Sequence, residues 1–186
     1  MLKEIKTSLI LFLLLAVITG LAYPMFITGI AKVIFPENSS GSLVTKDGKV
    51  IGSELIGQQF ERPEYFHPRP SKAGSGYDSM ASGASNLSPT SKKLEDDISA
   101  RFKALSEENP GAEIPVDLLT ASASGLDPEI SPQAAMFQLP RVAKARNMDE
   151  SAVKGLIEKH TKGRFLGIFG EPRVNVLLLN MDLDRG

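Results

Sequence analysis

Hydrophobic and polar positions follow two different rules along the chain. From Thr7 to Ala31 there is no charged residue at all. As a helix that stretch would run about 37 Å, against a hydrocarbon core of about 30 Å. It therefore predicts an uncleaved single membrane span, with residues 1–35 forming the span and a short tail. A cleaved signal peptide would need its apolar core to stop near Gly20-Leu21-Ala22, yet Met25-Phe26-Ile27 and Ile30 carry the run onward. Beyond residue 35 the pattern becomes mixed and periodic. Residues 36–186 predict one soluble α+β domain, in which short strands alternate with amphipathic helices.

Within that domain, Leu43-Val44-Thr45 and Val50-Ile51 flank Asp47-Gly48, the signature of a tight hairpin. Residues 63–89 are rich in Pro, Gly and Ser. Their aromatics, Tyr65, Phe66 and Tyr77, predict an ordered irregular loop that packs on something. Ser88-Pro89 should open a helix with Leu94, Ile98, Phe102 and Leu105 inward. Residues 115–120 read as a short buried strand. A second helix should start at Ser131-Pro132, break at Pro140 and resume to Arg146. A third should be capped by Asp149 and end near Gly163, with Val153, Leu156 and Ile157 inward. Residues 174–183 fit either strand or helix, and a helix opened by Pro172 is preferred.

The span carries more pattern than an anchor needs. Ala16, Gly20, Pro24 and Thr28 recur every four residues, with Thr19 beside them. On a helix they form one small-residue ridge, a face on which a second membrane helix can pack closely. Pro24 also frees the carbonyl of Gly20 and should distort the helix. Lys3, Lys6 and the terminal amine precede the span and Lys32 follows it, a bias that places the N-terminus in the cytoplasm and the domain outside.

Composition narrows the chemistry. The chain has 186 residues, a net charge of −1 and no cysteine. All but three of its 21 Lys and Arg, and all but one of its 22 Asp and Glu, lie after residue 35, leaving the domain mildly acidic. Nucleic acid is not its default partner. Zinc ribbons, disulfide scaffolds, iron–sulfur ligation and thiol nucleophiles are excluded, and two histidines make a metal site improbable. There is no P-loop, no Asp-Lys-Thr-Gly phosphorylation sequence and no Gly-x-Ser-x-Gly elbow. His67 reads as a loop histidine bonded to backbone, a general base there needing an orienting partner that sequence does not supply, and His160 sits where an imidazolium complements a helix C-terminus. Ser122 and Ser124, with a lysine such as Lys144, could supply a nucleophile and base. A membrane-anchored extracytoplasmic serine hydrolase is accordingly the alternative function; a turn whose hydroxyls satisfy the backbone is the plainer reading. Glu171, Arg173, Asn175 and Asn180 suggest a polar network or a partner contact.

Several segments together resemble a known family. They are Tyr23-Pro24 in the span, residues 52–58 (GSELIGQ), 65–71 (YFHPRPS), 82–87 (SGASNL), 117–128 (DLLTASASGLDP), 138–143 (QLPRVA), 170–176 (GEPRVNV) and Leu179-Asn180. In this order they are similar to the C subunit of the Kdp potassium-transporting ATPase. The resemblance implies a non-catalytic accessory subunit of an ATP-driven potassium import complex. The partners it implies are a channel-like potassium subunit, a P-type ATPase subunit and a small single-span subunit. It implies a location in the bacterial inner membrane and a role as catalytic chaperone, raising the ATP affinity of the ATPase subunit. No cofactor would be bound firmly, although ATP could be met through the complex. The family comparison with the signature loop of ABC transporters points to Ser82, Gly83 and Ser85, and Gln138 is the candidate for its glutamine. Ala84 stands where that loop would have a second glycine. Direct ATP contact and an outside domain are competing expectations.

Overall fold

A computed structural model describes residues 1–185. The fold is mixed helix and sheet, and the chain divides into two compact units, residues 1–50 and 51–186.

The first unit is dominated by one continuous helical rod over Leu2–Ile34, apolar and exposed along its length. It comprises α1 (Leu2–Val17), a π-helical turn (Ile18–Ala22) and α2 (Tyr23–Ile34). The π turn is how the helix accommodates Pro24. Proline has no N–H for the Gly20 carbonyl, and the Tyr23 N–H reaches back five residues to Ile18. Thr19 donates its hydroxyl proton to the Leu15 carbonyl at 2.8 Å, leaving no free donor on the ridge at that position. A short α3 (Pro36–Ser39) follows, then β1 (Leu43–Lys46); β2 (Lys49–Ser53) begins at the end of this unit and continues into the next. Asp47 and Gly48 both have positive φ, 51° and 74°, as the predicted tight turn demands.

The second unit packs around a short antiparallel sheet, in the order β3 (Glu129–Ile130), β5 (Arg173–Asn175), β4 (Thr161–Lys162). Ile130 and Thr161 both register on Val174, which is completely buried. Around it lie α4 (Lys92–Glu108), α5 (Val116–Leu119), α6 (Pro132–Arg146), α7 (Glu150–His160) and α8 (Val176–Leu183). The core joins Phe66 from the long loop to Val142, Val153, Ile157, Val174, Leu179 and Leu183. Residues 63–89 are thus the packed irregular loop that their aromatics predicted.

Several boundaries depart from expectation for local reasons. Ser88-Pro89 makes a turn, closed by Ser91 N–H to the Ser88 carbonyl, and α4 begins one turn later. Its inward stripe runs through Arg101, which donates to the Leu119 carbonyl at 2.7 Å, and Phe102 lies one position off that stripe and exposed. Residues 116–119 form a helical turn, not a strand. Only Leu118 is buried, and Thr120 N–H closes on the Val116 carbonyl. Pro140 does not interrupt α6. The carbonyl it leaves free, that of Met136, belongs to a residue that is itself exposed, as Pro140 is, so water can serve it. α7 stops at His160, three residues before Gly163. The 174–183 segment divides between the two readings. Val174 belongs to a strand, and α8 is opened by Asn175, whose side chain accepts the Leu178 N–H, rather than by Pro172.

His160 and Lys159 at the end of α7 both reach Asp182 Oδ2 on α8, at 2.8 and 2.7 Å. Those bonds, Lys159's first, hold the Asp182 carboxyl down at about 2. A depressed carboxylate adds stability above its ordinary value of 3.8 and loses it as pH falls toward 2. Asp182→Asn should therefore cost about 1 kcal/mol at pH 7. Urea unfolding should show that difference closing between pH 4 and pH 2; a gap that stays constant across this range would contradict the assignment.

Candidate functional site

The loop 63–70 has no strand partner, yet it runs through the core. Two buried side-chain amides do a strand's work for it. On α8, Asn180 Oδ1 accepts the Phe66 N–H at 2.8 Å and Nδ2 donates to the Phe66 carbonyl at 2.9 Å. On α6, Gln138 Oε1 accepts the next amide, His67 N–H, at 2.7 Å, and Nε2 donates to the His67 carbonyl at 3.0 Å. Gln138 also donates to the Ala134 carbonyl and accepts from Arg141 Nη2, so both donors and both acceptors of its amide are occupied. Arg141 continues the clamp through Nη1 to the Pro63 and Tyr65 carbonyls and through Nε to Glu108.

A second arginine completes it. Arg146 donates to the Glu64 and Leu183 carbonyls and to Asp184. Its guanidinium also lies 4.9 Å from the centre of the Tyr65 ring, as does that of Arg62. The Tyr65 hydroxyl donates to Asp184. His67 is half-buried, and burial, helped by the nearby Arg141 charge, lowers its pKa and favours neutral imidazole. Its Nε2–H donates to the Arg62 carbonyl at 3.2 Å.

The loop holding Ser82, Gly83 and Ser85 wraps a different segment. Gly83 N–H and the Ser82 hydroxyl both donate to the Ser124 carbonyl, at 2.8 and 3.0 Å. Ser85 accepts from Leu87 N–H at 3.5 Å. None of Gln138's four hydrogen bonds reaches this loop, so the residues named for nucleotide are held in two separate networks. The Gly83 amide, which would have to approach a phosphate, is already donating.

The 120–128 segment is a packed turn. Ser122 and Ser124 accept the N–H groups of Gly125 and Leu126, as the plainer reading expects, and Lys144 is exposed on α6. The Ser71 hydroxyl donates to the Gly125 carbonyl at 2.6 Å while accepting from Ala73 and Tyr77 N–H. The Tyr77 hydroxyl donates to the Arg69 carbonyl at 2.6 Å, and burial pushes it up to about 12. Gly57 N–H donates to the Leu126 carbonyl on another side.

An open groove of about 1290 Å³ runs beside this turn, between α5, α6 and the approach to β5. Ile114, Val116 and Met136 supply apolar surface, and four of the charged residues on its walls form two ion pairs: Arg69 with Asp127 at 3.0 Å and Arg173 with Glu129 at 2.9 Å. Asp117 accepts both the N–H and hydroxyl of Ser131 and so anchors the start of α6. Among the described residues no group of three His, Cys, Asp or Glu could hold a metal ion. Among the described residues, the groove's lining contains no histidine, lysine or cysteine. Glu171, Arg173, Asn175 and Asn180 do not form one network. They pair separately, with Arg164, Glu129, the Glu54 carbonyl and Phe66.

A domain that spends its polar side chains on its own loops, in a chain with an apolar N-terminal helix, has the character of a membrane-anchored subunit. Sequence comparison makes that class specific. The family model for the potassium-transporting ATPase, c chain, matches residues 5–185, and the chain belongs to this family. It is 55% identical to the potassium-transporting ATPase KdpC subunit of Bradyrhizobium diazoefficiens, over 100% of this chain and 98% of that one. The KdpC subunit of Rhodopseudomonas palustris is also 55% identical, over 99% and 98%. That of Rhodospirillum rubrum is 53% identical, over 99% and 96%.

Proposed function

We propose that the chain is the non-catalytic accessory subunit of an ATP-driven potassium import complex, with its N-terminus cytoplasmic and its domain outside the cell. The observation carrying this reading is the full-length family match, joined to a structure whose recognisable motifs are consumed in building loops. In this reading the exposed ridge Ala16, Thr19, Gly20, Pro24 and Thr28 docks on a span of a partner subunit. A Cβ added at Gly20 would meet nothing of this chain within 4 Å, which leaves the space open for a neighbour. The chaperone role, raising the ATP affinity of the ATPase subunit, is then exerted through assembly and not by contact with nucleotide. Gly83 and Gln138, with their bonding groups occupied, favour that route.

The test has two arms. Gly20→Ile should abolish co-purification with the other subunits and potassium uptake at low external potassium, while the chain still reaches the membrane. Met80 is 92% exposed, so a cysteine there in this cysteine-free chain is a clean reporter of side. An impermeant maleimide should label Met80→Cys in intact spheroplasts. Retained assembly in the first arm, or labelling only after lysis in the second, would overturn the corresponding half of the proposal.

A further inference from the structure

The loop joining β4 to β5 is built unlike any other in the domain. From Lys162 to Pro172 every residue is exposed. At its tip, Phe165, Leu166, Ile168 and Phe169 are each between 62% and 74% exposed, with only Gly167 among them. Single exposed apolar residues are ordinary, but four large ones gathered on a projecting turn are not.

The backbone of this tip is closed on itself. Phe165 and Phe169 exchange both hydrogen bonds, at 2.8 and 2.9 Å. Gly167 N–H donates to the Arg164 carbonyl and Ile168 N–H to the Phe165 carbonyl. Leu166 adopts φ 53°, a conformation unfavourable for leucine, and Gly167 adopts φ 75°. The turn accepts that strain while directing a leucine away from the protein. Arg164 and Glu171 pair across the base at 2.8 Å, with Lys162 just behind them.

From this geometry we infer that residues 165–169 dip into the lipid surface of the membrane in which the chain is anchored. Lipid favours backbone whose polar groups are paired internally, and within the tip four of the five N–H groups are paired, as are the carbonyls of Phe165 and Phe169. A tip meant to add a strand to a partner would keep those groups free. The positive charge of Lys162 sits behind the apolar tip, where lipid phosphates would lie. The helix Leu2–Ile34 keeps the domain close to a bilayer, so a shallow apolar tip suffices for lasting contact. The inference rests on the anchored reading above.

Spin labels on single cysteines in the full-length chain, reconstituted in vesicles of phosphatidylethanolamine and phosphatidylglycerol, test it. Leu13→Cys marks the bilayer, Met80→Cys marks water, and Leu166→Cys reports the tip. Collisional relaxation at Leu166 should be shifted toward oxygen and away from a water-soluble nickel chelate, with the same sign as at Leu13. Adding Phe165→Ser and Phe169→Ser should move Leu166 to the Met80 value. A Leu166 label that behaves like Met80 from the start overturns the inference. So does one shielded from both reagents, which would indicate a protein pocket. If Leu13 itself reads as aqueous, the anchoring proposal fails instead.

Discussion

Replacing Asn180 with alanine should destabilise the domain by about 3 kcal/mol, because it strands both the N–H and the carbonyl of Phe66 where no water reaches. Phe66 is completely buried, so the two groups cannot turn outward without taking its ring out of the core. Asn180→Asp should fare no better. It keeps an acceptor for the N–H but sets a carboxylate against the carbonyl. Chemical unfolding of the full chain in detergent measures the loss. Gln138→Ala should give a smaller deficit, since His67 is only half-buried and water can reach its backbone. If Asn180→Ala unfolds at the wild-type midpoint, side-chain amides are not what holds the loop.

The second large effect is expected at Gly125. Its φ is 67°, and a Cβ there would lie 2.6 Å from the Ala73 nitrogen and 2.7 Å from the Gly83 oxygen. Those neighbours are backbone and cannot swing aside. Gly125→Ala combines a left-handed alanine, about 1 kcal/mol, with overpacking of about 2 kcal/mol. The relief available is for residues 71–83 to lift off the 120–128 turn. Limited proteolysis should then cut between 71 and 89, where wild type resists. Gly167→Ala makes a useful contrast. Its φ is equally positive, at 75°, but nothing lies within 4 Å, so it should incur the conformational cost alone.

Much of this fold was legible in advance, and where it was not the reason is physical. Length and lack of charge specify the N-terminal helix, and Asp47-Gly48 specifies its turn by positive φ alone. The apolar spacing Val153, Leu156 and Ile157 specifies α7. Pattern reading failed where a single polar contact chose the outcome. Phe102 yields its place on α4 to Arg101, and Asn175 takes the capping role expected of Pro172. Of the candidate site, the ridge and the 82–85 loop could be named but not placed. What holds Gln138 and Asn180 lies more than seventy residues away in sequence, beyond any local period. One signal was available for Gln138. It falls on the apolar face of α6, between Ala134, Ala135 and Val142, and a polar group at such a position needs an internal partner. Nothing in the sequence pattern marks the apolar tip at 165–169, because four hydrophobic residues around one glycine are equally compatible with a buried segment and a projecting turn, and only exposure separates the two.

The pairing of Phe66 with Asn180, of Tyr65 with Asp184 and of Glu54 with Asn175 joins positions 114 to 121 residues apart. Nothing nearer in the chain can stand in for those C-terminal groups. Residues 54–66 must therefore emerge from synthesis and wait, unclosed, until residues 175–184 have been made. A nonsense mutation just before α8 should leave no smaller folded domain behind, only a tethered chain awaiting degradation.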